Sequence, residues 1–207
     1  MPSRDYHEAV WEGVPSGAAP PGLELRQRFL LEAVSAHQRV LDVGCGEGRL
    51  TAALAAVGAD VLGVDVAEEP LRRAREQHPQ LSFALVQAEG EWPLQDASFD
   101  VVWAGEVIEH VADTTAWLSQ VRRVLRPQGT LLLSTPAHGP IVRLRLALSE
   151  RAFAQHFDPR ADHLRFYSSA SLSRLLQDFG FERVRVRSAG AWPARDVLLA
   201  SAQRTRW

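Results

Sequence analysis

The chain has 207 residues, 46% of them hydrophobic, with 23 basic side chains against 25 acidic ones. That length fits one domain with a normal core, and the near-neutral balance excludes a strongly basic nucleic-acid binder. All the Lys and Arg positions are Arg, and no Arg cluster forms the stripe of a phosphate-tracking surface. Cys45 is the only cysteine, so no internal disulfide can form. The start, MPSRDYHEAV, lacks the apolar core of a signal peptide, and no apolar run approaches the length of a membrane span. The expectation is a cytoplasmic enzyme with no stable membrane insertion.

Residues 1–36 read as a lead-in and a helix. Tyr6, His7 and Trp11 precede a Pro- and Gly-rich stretch to residue 22, which either folds over a cleft or is a disordered lead-in. From residue 39 strands and helices alternate: strands at 39–43, 60–65, 81–86, 100–104 and 129–135, helices at 48–57, 67–77 and 113–125. That is the order of an α/β, doubly wound, mostly parallel sheet. Residues 137–165 form an inserted cap. Its Ile141, Leu144 and Leu148 fall at helical spacing, with Arg143, Arg145 and Arg151 mostly on other faces. It reads as a cap helix, with membrane-surface binding a weaker alternative because the Arg are few. A helix at 169–179, capped by Ser168 or Ser169 and stopped by Gly180, is followed by two β-like runs, ERVRVRSA and DVLLASA. The link between them, with Gly190 and Pro193, is too short for a parallel crossover, so the last strand should run antiparallel. The whole chain, 1–207, reads as one domain.

Residues 40–48 are VLDVGCGEG: an apolar run containing Asp42, then Gly44, Gly46 and Gly48 at alternate positions, with Asp65 ending the next strand seventeen residues later. A buried strand, a glycine turn that a ligand can approach and an acid for ribose hydroxyls are what a nucleotide-binding α/β unit needs. The even glycine spacing resembles the first motif of the class I S-adenosylmethionine-dependent methyltransferases more than the GxGxxG of dinucleotide enzymes. The segments FDVVWAGEVIEHV at 99–111, VLRPQGTLLLSTP at 124–136 and DHLRFYSSASLSRLLQDFGF at 162–181 extend the resemblance to about residue 200. The first two look like the fourth- and fifth-strand motifs of small-molecule methyltransferases, including quinone-biosynthesis O-methyltransferases. The resemblance implies S-adenosylmethionine as cofactor and an antiparallel final strand.

Within that frame Asp42, Gly44, Cys45 and Gly46 belong to the cofactor motif, with Cys45 as a small packing residue. The glycines turn the chain under the methionine half, whose carboxylate can meet amides at the start of the following helix. Asp65, with Val66 beside it, accepts from both ribose hydroxyls; its alternative role is an N-cap for helix 67–77. For adenine, counting back from Pro93 selects Ala88, counting forward from the strand selects Gln87, and Glu89 is the nearest carboxylate. Gly105 to Val107 should line ribose and methionine. His110 is a candidate base or a scaffold residue on the cofactor side, and His138 is the second candidate. His156 to His163 lacks a closed ligand spacing, so no metal is expected. The (Asp/Asn)-Pro-Pro-aromatic stretch of nucleic-acid amino methyltransferases is absent, which favours a small molecule with a hydroxyl as partner, and no nucleic acid. An NAD-linked oxidoreductase and a non-catalytic cofactor-binding regulatory subunit are the alternatives, and the oligomeric state stays open.

Overall fold

The computed structural model describes residues 4–88, 90–158, 162–190 and 195–206. Its strands are β1 Arg39–Val43, β2 Asp60–Asp65, β3 Ser82–Leu85, β4 Phe99–Gly105, β5 Leu125–Pro136, β6 Phe181–Ala189 and β7 Val197–Arg204. They make one sheet in the order β3-β2-β1-β4-β5-β7-β6. The pairs among β1 to β5 are parallel, whereas β7 runs antiparallel to both β5 and β6. The short link between β6 and β7 permits only that direction, as expected.

The helices are α1 Arg4–Glu12, α2 Leu23–Ala33, α3 Arg49–Ala56, α4 Glu68–Gln77, α5 Thr114–Val124, α6 Pro140–Leu148, α7 Glu150–His156 and α8 Ser169–Asp178. The period-2 alternation of β4 divides the core between two faces. Val102 and Ala104 pack with Leu118 and Val121 of α5 and Leu172 and Leu176 of α8. Val101 and Trp103 pack on the opposite side with Leu30 of α2 and Leu54 of α3. Asp113 starts α5 by accepting from the Ala116 amide at 2.9 Å. Ser168, rather than Ser169, caps α8 in a reciprocal box with Ser171.

Two expectations change. β5 begins at Leu125, directly after α5, and not at 129: Leu125 already pairs with Phe99, and the strand then passes Gln128 at φ 66° before re-pairing at Thr130. The cap holds two helices where one was expected, because Ser149 breaks the run and its hydroxyl accepts from the Ala152 amide at the start of α7. Leu146 is the buried residue of α6, while Ile141, Leu144 and Leu148 point outward. Pro193 lies outside the described residues. Among the described residues no helix is long and apolar enough to cross a membrane.

Candidate active site

The carboxyl ends of β1, β2 and β4 converge on a cavity of about 280 Å³, at the point where the sheet order reverses. Asp42 shapes this end from below. Its Oδ2 accepts from Thr51 Oγ1 at 2.6 Å, and the Thr51 amide donates to it as well. β1 thereby caps the first turn of α3. Burial is the main reason the Asp42 pKa rises to about 7, with the Asp65 charge adding to it. Asp42 itself does not line the cavity, and neither do Cys45, Gly46 and Gly105.

The amides of the glycine turn are engaged inside the protein. Gly44 and Cys45 donate to the Val64 carbonyl at 2.8 and 3.0 Å, Gly46 to Asp65 Oδ2 at 3.0 Å, and Gly48 to the Cys45 carbonyl at 3.0 Å. The turn therefore offers a ligand its shape more than its donors. Gly44 has φ 69°, and a Cβ there would stand 2.5 Å from Val107 Cγ2, so only glycine keeps this floor open.

Asp65 faces the cavity although it is only 6% exposed. Besides Gly46, it takes the amides of Val66 and Ala67, at 2.8 and 3.1 Å on Oδ1. Burial raises its pKa against the lowering effect of those three bonds. The helix-cap alternative falls to another residue: Glu8 of α1 accepts from the Glu68 and Glu69 amides, at 2.7 and 3.0 Å, at the start of α4. A carboxylate has about four lone-pair sites, and three backbone bonds leave capacity for a ribose hydroxyl. Val66, Gln87 and Ala88 continue the same wall, with Trp92 beside them. Glu89 lies outside the described residues.

Past β4, Glu106 holds φ 57° and lines the cavity. Its Oε1 accepts from Ser134 Oγ at 2.6 Å and lies 3.6 Å from Nη1 of Arg26, a buried residue of α2. Sequence reasoning placed Glu106 within the segment expected to line ribose and methionine but missed Arg26, which is eighty positions away and outside every motif. Glu109 is buried, with Oε2 accepting from Thr135 Oγ1 at 2.9 Å and Oε1 without a hydrogen-bond partner. Burial first, then the Glu106 charge, lifts its pKa to about 8.

His110 reaches the cavity, and its Nδ1 lies 3.0 Å from the Asp162 carbonyl. A carbonyl can only accept, so Nδ1 carries the proton and Nε2 presents a lone pair. Burial lowers the His110 pKa, which keeps the ring neutral and able to take a proton. The ligating atoms of Glu109, His110 and His163 lie within 4.8 Å of one another, a set able to share a proton or receive a divalent cation. The spacing examined in the sequence was His156 to His163. The grouping instead forms because the chain returns at Leu164 and Arg165, whose amides both donate to the Glu109 carbonyl.

His138 is not part of the cavity lining. It turns toward the cap, where its Nε2 lies 2.8 Å from His156 Nε2 and its ring meets Phe166 edge-on. Its position just past β5 suggested a base, yet the cap claims the side chain first.

The structure therefore brings Gly44, Asp65, Val66, Gln87, Ala88, Val107 and His110 to one cavity at the switch point of a sheet with an antiparallel last strand. The methyltransferase-domain family matches residues 18–186. The chain belongs to that family. This methyltransferase is 33% identical over 176 residues to a ubiquinone biosynthesis O-methyltransferase of Methylococcus capsulatus, covering 82% of this chain and 74% of that one. It is 42% identical over 169 residues to the protein of the same name in Idiomarina loihiensis, covering 79% and 69%. Phosphoethanolamine N-methyltransferase 2 of Haemonchus contortus, solved with S-adenosyl-L-methionine, shares its fold at a TM-score of 0.73 and 19% identity, over 98% of this chain and 57% of that one. The enzyme is an S-adenosylmethionine-dependent methyltransferase of the class I fold, and its cavity fits the cofactor. The glycine floor is one that a Cβ would fill, and Asp65 is a buried acceptor turned into the space.

Proposed function

We propose that this methyltransferase methylates a hydroxyl oxygen of a small molecule, with Asp65, Glu106 and His110 as the residues that organise the reaction. One observation carries the reading: His110, whose Nδ1 lies on the Asp162 carbonyl so that Nε2 is left as the proton acceptor, shares a cavity with the acid suited to ribose. The names of the relatives, O-methyltransferases of ubiquinone biosynthesis, support oxygen as the acceptor atom.

When bound, the cofactor supplies a methyl group already activated on a sulfonium. Asp65 would accept from a ribose hydroxyl, Val66, Gln87 and Ala88 would line the adenine, and Gly44 with Val107 would form the floor. Glu106, turned into the cavity at φ 57°, would meet the ammonium of the amino-acid end, and Arg26, buried behind it, would hold its carboxylate in place. His110 Nε2 takes the hydroxyl proton, while its Nδ1–H stays on the Asp162 carbonyl and fixes the ring. Positioning, exclusion of water and one modest base suffice for in-line displacement from an activated donor. We assign His138 to anchoring the cap.

The test is incubation with methyl-13C-labelled S-adenosylmethionine and fractionated small-molecule extract, with the product identified by NMR. The expected product carries the label on oxygen. Label on nitrogen or carbon, or none transferred, would overturn the proposal.

A further inference from the structure

α1 lies over the cleft and is held there by polar ties. Glu8 caps α4 as described, Arg73 donates to the Val14 and Trp11 carbonyls at 2.8 and 3.2 Å, and Glu47 accepts from the Gly17 amide at 2.9 Å. His7, Val10 and Trp11 recur at i, i+3 and i+4, so one face of the helix is turned into the cavity that all three line. Trp11 packs so closely on the glycine turn that a Cβ on Gly46 would meet its ring at 3.0 Å. None of residues 6–12 is fully buried. A helix held by a few hydrogen bonds and little apolar burial can open at small cost, which suits a roof over a site that must exchange its contents.

One turn before Trp11, the same face carries His7. We propose that His7 contacts the acceptor, its imidazole forming the roof-side wall of the cavity opposite His110, so that closure of α1 completes the acceptor site. This inference rests on the proposed methyl transfer. His7 lines the same cavity as Asp65, assigned to the ribose, and His110, assigned to the proton. The roof offers a polar tip on an otherwise apolar face, matching a ring or chain that presents a hydroxyl. As the oxygen–methyl bond forms, the carbon–sulfur electron pair stays on sulfur and the hydroxyl proton passes to His110. His7 hydrogen-bonds the same oxygen and directs its lone pair at the methyl carbon, and its loss removes orientation.

The experiment uses histidine-ring NMR on the full chain saturated with S-adenosylhomocysteine, with catechol as a minimal ring-hydroxyl probe and His7→Gln and His110→Gln for assignment. The expected result is that catechol shifts the His7 and His110 signals together and leaves His37, which is exposed, unmoved. His7→Gln should bind S-adenosylhomocysteine within twofold of the parent and lower catechol turnover at least tenfold. Shifts at His110 alone, shifts at neither ring, or full turnover in His7→Gln overturn the proposal. Failure of S-adenosylhomocysteine to bind at all would instead strike the underlying methyl-transfer reading. Glu8→Gln, which loosens the roof with His7 intact, should raise KM more than it lowers kcat; an effect on kcat alone also counts against a closing roof.

Discussion

Asp65→Asn separates the two duties of this residue. The carboxylate accepts three main-chain amides, from Gly46, Val66 and Ala67, and faces the cavity with capacity for one more donor. An amide of the same shape keeps one acceptor oxygen, turns an NH2 toward at least one former donor and removes the negative charge. Losing a charge-assisted hydrogen bond to a ribose hydroxyl is worth about 1–3 kcal/mol, hence roughly a 5- to 150-fold rise in the Kd for S-adenosylhomocysteine. The structural loss is smaller, about 1–2 kcal/mol, because removing a buried charge also relieves the desolvation that raises the Asp65 pKa. For a chain of this size that corresponds to a fall in Tm of roughly 2–8 °C. Titration calorimetry reads the first number and thermal unfolding without ligand the second. A lowered Tm with an unchanged Kd would show that Asp65 serves the turn alone and would refute the ribose assignment.

Asp42→Asn tests the buried clamp. The folded pKa of Asp42 is about 7 against an ordinary 3.8, so between those values the fold holds a proton that the unfolded chain has released. Its contribution to stability is present below about pH 4 and is lost as the pH rises toward 7. The parent Tm should fall across that window more steeply than that of the variant, and equal slopes by calorimetry would contradict the assignment. His110→Ala should lower turnover by roughly a hundredfold or more with cofactor affinity kept, whereas His138→Ala should retain near-normal turnover and lose stability in the cap. Steady-state kinetics on an identified acceptor checks both, and loss of cofactor binding in step with activity would make His110 a scaffold residue. Gly44→Ala places a Cβ against Val107 at a positive φ, so S-adenosylhomocysteine affinity should fall at least tenfold and recover in part when Val107→Ala is added. No recovery would mean that strain at φ 69°, rather than the clash, governs the site.

Much of this architecture was legible in local pattern. The alternation from residue 39 set the first five strands, and the short link after β6 forced the antiparallel ending. Asp65 and Gly44 were legible because strand ends and tight turns are local events. Contacts between distant segments were not. Arg26 meets Glu106, and Glu8 caps α4 some sixty residues away, with no periodicity to announce either. His110 and His138 look alike in sequence, each shortly after a strand, yet one reaches the cavity and the other is taken by His156. The outward face of α6 was not legible for a related reason. Helical spacing reports which residues share a face, and only the surroundings decide which face is covered.

The central claim is that the cavity over Gly44 and Asp65 is built for S-adenosylmethionine. Titration calorimetry of the parent protein with S-adenosylhomocysteine and, separately, with NAD tests it most directly. The account predicts saturable binding of one S-adenosylhomocysteine per chain, with no heat from NAD beyond dilution. Saturable NAD binding with no response to S-adenosylhomocysteine would contradict it.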